Sequence, residues 1–383
     1  MLQCLENITD FEKSKEILNA KKLIVKEYKN LGLYLVKYNK DENINMDADI
    51  AKCRGLIMDY NNKVVCIPPM KSINNVPLDG IVYEEFIDGT MINVFYYNGW
   101  HISTRSCIGA NCRWYSNKRF NNMFEESKDF DIEKLDPLYC YNFVLKHSEN
   151  RIVTKYSNND IILVGAYNLE TCKYVDTVSI QEHLQRRFGL QIKIPERYMF
   201  NSIEDANLYV NSLNYDQQGL VLKVNEFRSK LVNPHYNYVK HLRGNNRNIK
   251  YTFFELRQAG LLNEYINYYP EYKEQFNVFN KELYSMTRNL FNYYQNFRVK
   301  KNITYDEIDY QYRPLVYKLH GDYLTTKNIV NFSKVKNYVN SLPSAQILFV
   351  LHYKAPHPPP TIDIASDADV TADIASYADN DVN

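Results

Sequence analysis

The run Tyr83-Glu84-Glu85-Phe86-Ile87-Asp88-Gly89-Thr90, continued by Met91 to Tyr97 and His101-Ile102-Ser103-Thr104-Arg105-Ser106, decides how this chain is read. Val82 and Tyr83 lead in, and Asp88-Gly89 is a turn dipeptide. Met91 to Tyr97 is rich in β-branched and aromatic residues that suit a pleated strand. Asn98-Gly99 is the strongest short-range hairpin signal, and Trp100 to Thr104 returns from it. Taken alone, the stretch predicts only a strand–turn–strand–turn–strand meander. Its meaning comes from the segments around it.

Composition sets the bounds. The chain has 383 residues, 45% hydrophobic and 24% charged, which predicts an ordinary globular protein of two or three domains. No apolar run reaches the roughly 18 residues a membrane helix needs, and the start lacks the pattern of a secretory signal. A cytoplasmic protein is expected. Seven scattered cysteines, odd in number and without CxxC spacing, predict reduced thiols and no metal centre. The net charge of +1 conceals six aspartates after Thr361 with no Lys or Arg among them. The remainder therefore carries a modest positive surplus, which suits a phosphate-bearing partner without requiring one. Thirty-four tyrosines, alongside abundant Asn, Ile and Lys, fit coding from an AT-rich genome better than a stacking surface.

Outward from the central run, Ile8 to Asn19 predicts a short amphipathic helix with Asp10 as its cap. Leu23–Tyr28 and Leu33–Tyr38 bracket a hairpin at Asn30-Leu31-Gly32. Cys53-Arg54-Gly55 opens a strand that turns at Asn61-Asn62 and returns into Pro68-Pro69-Met70-Lys71. Arg113 to Ser127 predicts a helix with a basic start. Tyr139 to Val153 and Asp160 to Tyr167 read as strands, Ile180–Phe188 and Ile203–Leu213 as helices, and Gln218 to Val224 as a further strand. From Tyr251 to Leu342 apolar residues recur at three and four spacing, with breaks at Pro270, Pro314 and Pro343. The expected layout is an α+β, mostly antiparallel domain over 1–250 and a helical domain over 251–345. A Pro- and Asp-rich tail over 355–383 is expected to be disordered.

In order, the punctuated strands give Arg54-Gly55, Pro68 to Lys71, Asp88-Gly89-Thr90, Thr104-Arg105-Ser106, Asn150-Arg151-Ile152-Val153, Gln218 to Lys223 and Ser229-Lys230. This series resembles the covalent nucleotidyltransferase superfamily of RNA ligases, DNA ligases and mRNA-capping enzymes. The phage-type RNA ligase 1 branch is the nearest, and the wording around Glu84–Asn93 and Phe143–His147 resembles RNA ligase-like proteins of large DNA viruses. The resemblance spans about residues 20–250. It implies an antiparallel-sheet, ATP-grasp-like ligase fold with ATP or another nucleotide and Mg²⁺ as cofactors. RNA is the implied partner, and a virus-infected host cell the implied setting.

The family's chemistry needs a neutral lysine amine to attack the α-phosphate, carboxylates to hold Mg²⁺, and further cations to neutralise charge in the transition state. Here the nucleophile's position is Phe86, or Glu85 if the strand carries a one-residue bulge. Between Lys71 and Lys118 there is no lysine. Val144 and Gln218 replace two carboxylates, so no metal ligands are assigned. Lys71 is the substitute amine to consider. The resemblance implies nucleotide contacts from Arg54, Glu85, Asp88, Gly89, Arg105, Gln218, Lys223 and Lys230. Surface ion pairs are the plainer reading of Arg54 and Arg105. The basic segment holding Arg243, Arg247 and Lys250 either tracks RNA or is a charged inter-domain loop.

Three readings follow. The chain is a degenerate ligase that binds nucleotide and RNA ends without forming lysyl-AMP. Alternatively it is an active ATP-dependent RNA ligase with a non-standard lysine such as Lys71, or it is a non-binding scaffold. The acidic tail offers a surface for protein partners.

Overall fold

The Asp10 side chain accepts the backbone N–H of Lys13 and so starts helix α1 (Phe11–Ala20) where the sequence places it. The computed structural model describes residues 2–42, 47–74, 77 and 79–353. The chain divides into two units, one running to His241 and the other beginning at Leu242.

The first unit holds three antiparallel sheets. A meander of β1 (Leu23–Tyr28), β2 (Leu33–Tyr38), β3 (Arg54–Asp59) and β4 (Val64–Cys66) makes the first, with α2 (Ala48–Lys52) between its second and third strands. It buries Leu33, Leu35, Val36, Ile57 and Cys66 completely, against α1 and neighbouring loops. The next strand, β5 (Val82–Glu85), leads into Asp88-Gly89, and β6 (Thr90–Tyr96) and β7 (Trp100–Ser103) follow.

Asp88-Gly89 is a crossover between sheets, not a hairpin turn. β6 and β7 pair through Asn98-Gly99, both at positive φ, and join β8 (Tyr139–Lys146), β9 (Asp160–Asn168) and β10 (Lys173–Val175) in the order β10-β9-β8-β6-β7. β5 leaves to another sheet, ordered β11-β5-β12-β13, with β11 (Arg197–Tyr198), β12 (Gly219–Val224) and β13 (Phe227–Val232). The crossover is tight enough that a Cβ on Gly89 would lie 2.5 Å from the Leu145 carbonyl oxygen.

Helices α3 (Phe120–Ser127), α4 (Thr177–Phe188) and α5 (Ile203–Ser212) cover these sheets. α3 is shorter than the expected 113–127. The Ser116 hydroxyl accepts the Lys118 N–H, and the Phe120 N–H goes back to the Cys112 carbonyl, local bonds that compete with a helix before Phe120. β8 likewise ends at Lys146 rather than Val153, because His147 Nδ1 accepts the Glu149 N–H and opens a 3₁₀ turn. Of the basic segment, Arg243 closes helix α6 (Pro234–Arg243), which has Pro at its first position, and Arg247 lies in the loop that follows it.

The second unit is all helical: α7 (Ile249–Gln258), α8 (Leu262–Tyr268), α9 (Lys273–Tyr294), α10 (Arg313–Thr326), α11 (Phe332–Ser341) and α12 (Ser344–His352). Pro270, Pro314 and Pro343 each stand at the start of a helical segment, as expected. Phe253, Tyr265, Phe276 and Phe279 form an aromatic cluster within this unit. The proposed acidic tail lies outside the described residues. Among those described, no helix is long and apolar enough to cross a membrane.

Candidate functional site

Register fixes which side chains share the space between the β5–β12–β13 sheet and the β9–β8–β6 sheet. Val221 pairs with Glu84 on one side and with Lys230 on the other, and Lys223 pairs with Arg228. Because side chains alternate along a strand, Glu84, Lys223, Arg228 and Lys230 project from one face and Glu85, Leu220 and Leu222 from the other. The first face is the inner one: Lys223 Nζ reaches across it to the Val164 carbonyl on β9 at 2.6 Å.

Lys223 is held firmly there. Its ammonium lies 2.5 Å from Glu84, whose side chain is 1% exposed, and 3.5 Å from the Tyr174 hydroxyl. Burial pushes the Lys223 amine below its ordinary range, while Glu84 pulls it back up. Glu84 also accepts the Thr177 hydroxyl and pairs with Arg197, which reaches Asp176 as well. The cavity beside Lys223, lined by Asn142, Tyr167 and Tyr174 among others, is only about 20 Å³, too small for more than a water.

Four cations crowd one end of this space. Arg54, Arg105, Arg228 and Lys37 are all buried. Arg54 and Arg228 both donate to the Met70 carbonyl, at 3.2 and 2.9 Å. Arg105 donates to the Tyr38 carbonyl and lies 4.4 Å over its ring, and Lys37 donates to Ser106. Arg54 and Arg105 are therefore not surface residues. Lys71 follows Met70 and is half-buried.

At the other end the chemistry changes. Phe86 is buried, with the Lys230 ammonium 5.2 Å over its ring. Val144 packs with Ile87 and Ile162 in an apolar cluster. One Asp88 carboxylate oxygen accepts the backbone N–H groups of Val153 and Thr154, and the Tyr156 hydroxyl donates to the Asp88 carbonyl. Gln218 is buried beside Gly219, where φ is +130° and a Cβ would lie 2.0 Å from the Leu231 oxygen, so only glycine fits. A cavity of about 310 Å³ opens here, lined by Glu85, Phe86, Asp88, Tyr156, Gln218 and neighbouring residues.

The structure thus gathers Arg54 and Arg105 with Lys37 and Arg228 at one end, and Glu85, Phe86, Asp88 and Gln218 at the other. Lys223 lies inward of both, and Gly89 holds the crossover. Arg243, Arg247 and Lys250 lie in the second unit. There Arg243 is buried against Tyr269 and Tyr272, and Lys250 pairs with Glu282 at 2.5 Å. Lys37, Glu84 and Arg228 were not singled out from the sequence. Strand alternation would have found Arg228 once Lys230 was placed, but Glu84 needs its partner 139 residues away.

Among the described residues, one trio brings candidate metal-ligating atoms within 4.8 Å: Glu126, His147 and Glu149. Lys118 already bridges the two carboxylates, at 2.8 and 2.5 Å. His147 Nδ1 accepts a backbone N–H, which leaves the proton on Nε2 facing Glu126. That arrangement is an ion-pair cluster. Among the described residues, no other trio of His, Cys, Asp and Glu brings its ligand atoms that close together.

No protein-family model matches the chain. It is 28% identical over 129 residues to an RNA ligase of Rhodothermus phage RM378, covering 29% of this chain and 30% of that protein. It is 23% identical over 238 residues to a putative bifunctional polynucleotide kinase/RNA ligase of Autographa californica nuclear polyhedrosis virus, covering 54% and 33%. An immediate-early protein ICP-46 homolog of Invertebrate iridescent virus 3 is 29% identical over 178 residues, covering 45% and 39%. The chain thus spans between 30% and 39% of the length of these relatives. An archaeal ATP-dependent RNA ligase of known structure aligns with 90% of this chain and 80% of its own at 12% identity, with a TM-score of 0.44. In sequence the chain is RNA ligase-like, with relatives among large DNA viruses.

Proposed function

We propose that this chain is a degenerate RNA ligase that holds a nucleotide or RNA end by its phosphates and does not form lysyl-AMP. The observation that carries the reading is Phe86, buried where the resemblance puts the nucleophile, with no lone pair to offer. The nearby amines support it. Lys223 has a depressed affinity for its proton, as a nucleophile needs, but Glu84 and the Val164 carbonyl enclose it. The cations at Arg54, Arg105, Arg228 and Lys37 supply what a phosphate requires. Val144 and Gln218 leave Mg²⁺ without its expected carboxylates, so no step is assigned to a metal. The implied setting is the cytoplasm of a virus-infected cell.

The test is incubation with α-labelled ATP, and separately GTP, with Mg²⁺ or Mn²⁺, followed by a denaturing gel and equilibrium binding of 5′-phosphorylated RNA. Binding without covalent label is the expected result. An acid-labile adenylate would overturn the reading in favour of an active ligase. Lys71 would then be examined first, because it follows directly on Met70, whose carbonyl both Arg54 and Arg228 hold. Absence of binding to ATP and to RNA would favour the scaffold.

A further inference from the structure

All seven cysteines lie in the first unit, and two pairs of them meet. Cys66 and Cys140 bond each other in the core, fully buried. Cys107 and Cys112 meet nearer the surface. After β7 the chain folds back over 104–112 through short backbone bonds. The Thr104 N–H donates to the Cys107 carbonyl at 2.9 Å, and the Gly109 N–H to the Ile102 carbonyl at 2.7 Å. Gly109 and Ala110, both at positive φ, then reverse the chain. That reversal brings both cysteines to one hydroxyl. Thr104 Oγ1 accepts the Cys107 N–H at 3.2 Å and lies 3.7 Å from the Cys112 sulfur. The two thiols hydrogen-bond to each other, and both are half-buried in a loop whose Gly109 and Asn111 are exposed.

A third side chain completes the arrangement. The Tyr28 hydroxyl on β1 accepts the Ile108 N–H at 3.0 Å, which leaves its own proton for the Cys107 sulfur. As a thiol, Cys107 donates to the Ile108 carbonyl at 3.4 Å. As a thiolate it has two donors, the Cys112 S–H and the Tyr28 O–H, with Lys26 as a nearby cation. These contacts, the Cys112 bond above all, lower the Cys107 thiol to about 6. Elsewhere burial pushes Cys53 and Cys66 up, and Cys4 up to about 11. One sulfur is therefore made nucleophilic, and a second thiol stands against it to capture what forms there.

We propose that Cys107 and Cys112 are a peroxide-oxidisable dithiol, with Cys107 the attacking sulfur and Cys112 the resolving one. The Cys107 thiolate attacks the O–O bond of hydrogen peroxide and keeps one oxygen as a sulfenic acid. The other oxygen leaves as hydroxide and takes up the proton that the thiol released, giving water. The Cys112 sulfur then attacks the Cys107 sulfur and the S–O bond breaks. The departing hydroxide carries off the Cys112 proton as a second water. Two thiols and one peroxide thus give one disulfide and two waters, and a dithiol reductant reverses the bridge. Transient bridges are the form disulfides take where thiols are otherwise kept reduced. Neither sulfur is a nucleotide contact, so the dithiol stands whether or not the chain binds phosphate.

Trypsin cuts after Arg105 and Arg113, so both cysteines fall in one peptide, 106–113. The reduced full chain is treated with a small excess of hydrogen peroxide at about pH 7, alkylated, and mapped by mass spectrometry without reduction. The peptide is expected to lose two hydrogens and escape alkylation, and dithiothreitol to restore it. Cys112→Ser should instead accumulate sulfenic acid on Cys107, trapped as its dimedone adduct. In concentrated urea the bridge should form at least about fivefold more slowly, because the unfolded thiol keeps its ordinary acidity. Conversion of Cys107 to sulfinic acid without a bridge would overturn the proposal. So would the absence of a dimedone adduct on Cys107 in Cys112→Ser, or equal rates in the folded and unfolded chain.

Discussion

Glu84 and Glu85 are neighbours on β5 and meet opposite fates. Glu84 faces inward, is 1% exposed, and is satisfied by Lys223, Arg197 and Thr177. Glu85 faces the cavity, where its strongest nearby influences are desolvation, Lys146 and a second carboxylate. The difference teaches that the two sides of this sheet divide the work. The inner side settles its charge within the protein and so fixes the architecture. On the outer side Glu85 stays exposed where it lines the cavity.

The sharpest way to break the comparison is to remove the inner acid. Glu84→Ala strands Lys223 and Arg197 beside a buried gap and should cost about 3–5 kcal/mol, read by urea denaturation. Glu85→Ala should cost less than about 1 kcal/mol and chiefly change ligand binding. Equal losses from the two would show that the faces are not divided in this way. Next in size, Arg54→Ala or Arg105→Ala should weaken binding of ATP or 5′-phosphorylated RNA by about 1.5–3 kcal/mol, seen by fluorescence anisotropy. Unchanged affinity would remove those arginines from the phosphate site.

Phe86→Lys should not restore adenylate formation, because Val144 and Gln218 still withhold the metal carboxylates. Robust labelling of that variant would mean the third and fourth motifs have been placed on the wrong residues. The smallest effect concerns Cys107, two residues after Arg105. A hydrogen bond with Cys112 lowers its thiol from its ordinary range to about 6. The thiolate should therefore dominate at pH 7, and alkylation by iodoacetamide should rise through about pH 6 and level off above pH 7. A rate that keeps climbing to pH 9 would remove Cys107 from the predicted reactive thiols.

Much of the fold was legible because its signals are local. Asp10 caps a helix, Asn98-Gly99 closes a hairpin, and the prolines open helical segments, each through its own backbone chemistry. The crossover at Asp88-Gly89 was not legible, since a turn dipeptide looks the same whether its strands pair or part. α6 was hidden by its basic composition, and the helix expected over 113–127 begins only at Phe120, after bonds to the Ser116 hydroxyl and the Cys112 carbonyl. At the site, the sequence named Lys223 and Gln218 but not what they face. Lys223 depends on Glu84, and the cavity around Gln218 collects Glu85, Tyr156, Glu196 and Asp216 from separate segments. Partners that meet only in three dimensions leave no spacing to read.

The pairing of β5 with β12 also bears on how the chain is made. Glu84 emerges from the ribosome 139 residues before the lysine that neutralises it. The β1–β2, β3–β4 and β6–β7 hairpins close through short loops and can form early, whereas β5 waits for β11 and β12, more than 110 residues on. Through that interval β5, which carries Tyr83 and two glutamates and runs into Phe86, stands exposed to the wrong neighbours. Synthesis halted before residue 223 would therefore leave a species prone to aggregation, and chaperone demand should peak over that stretch of translation.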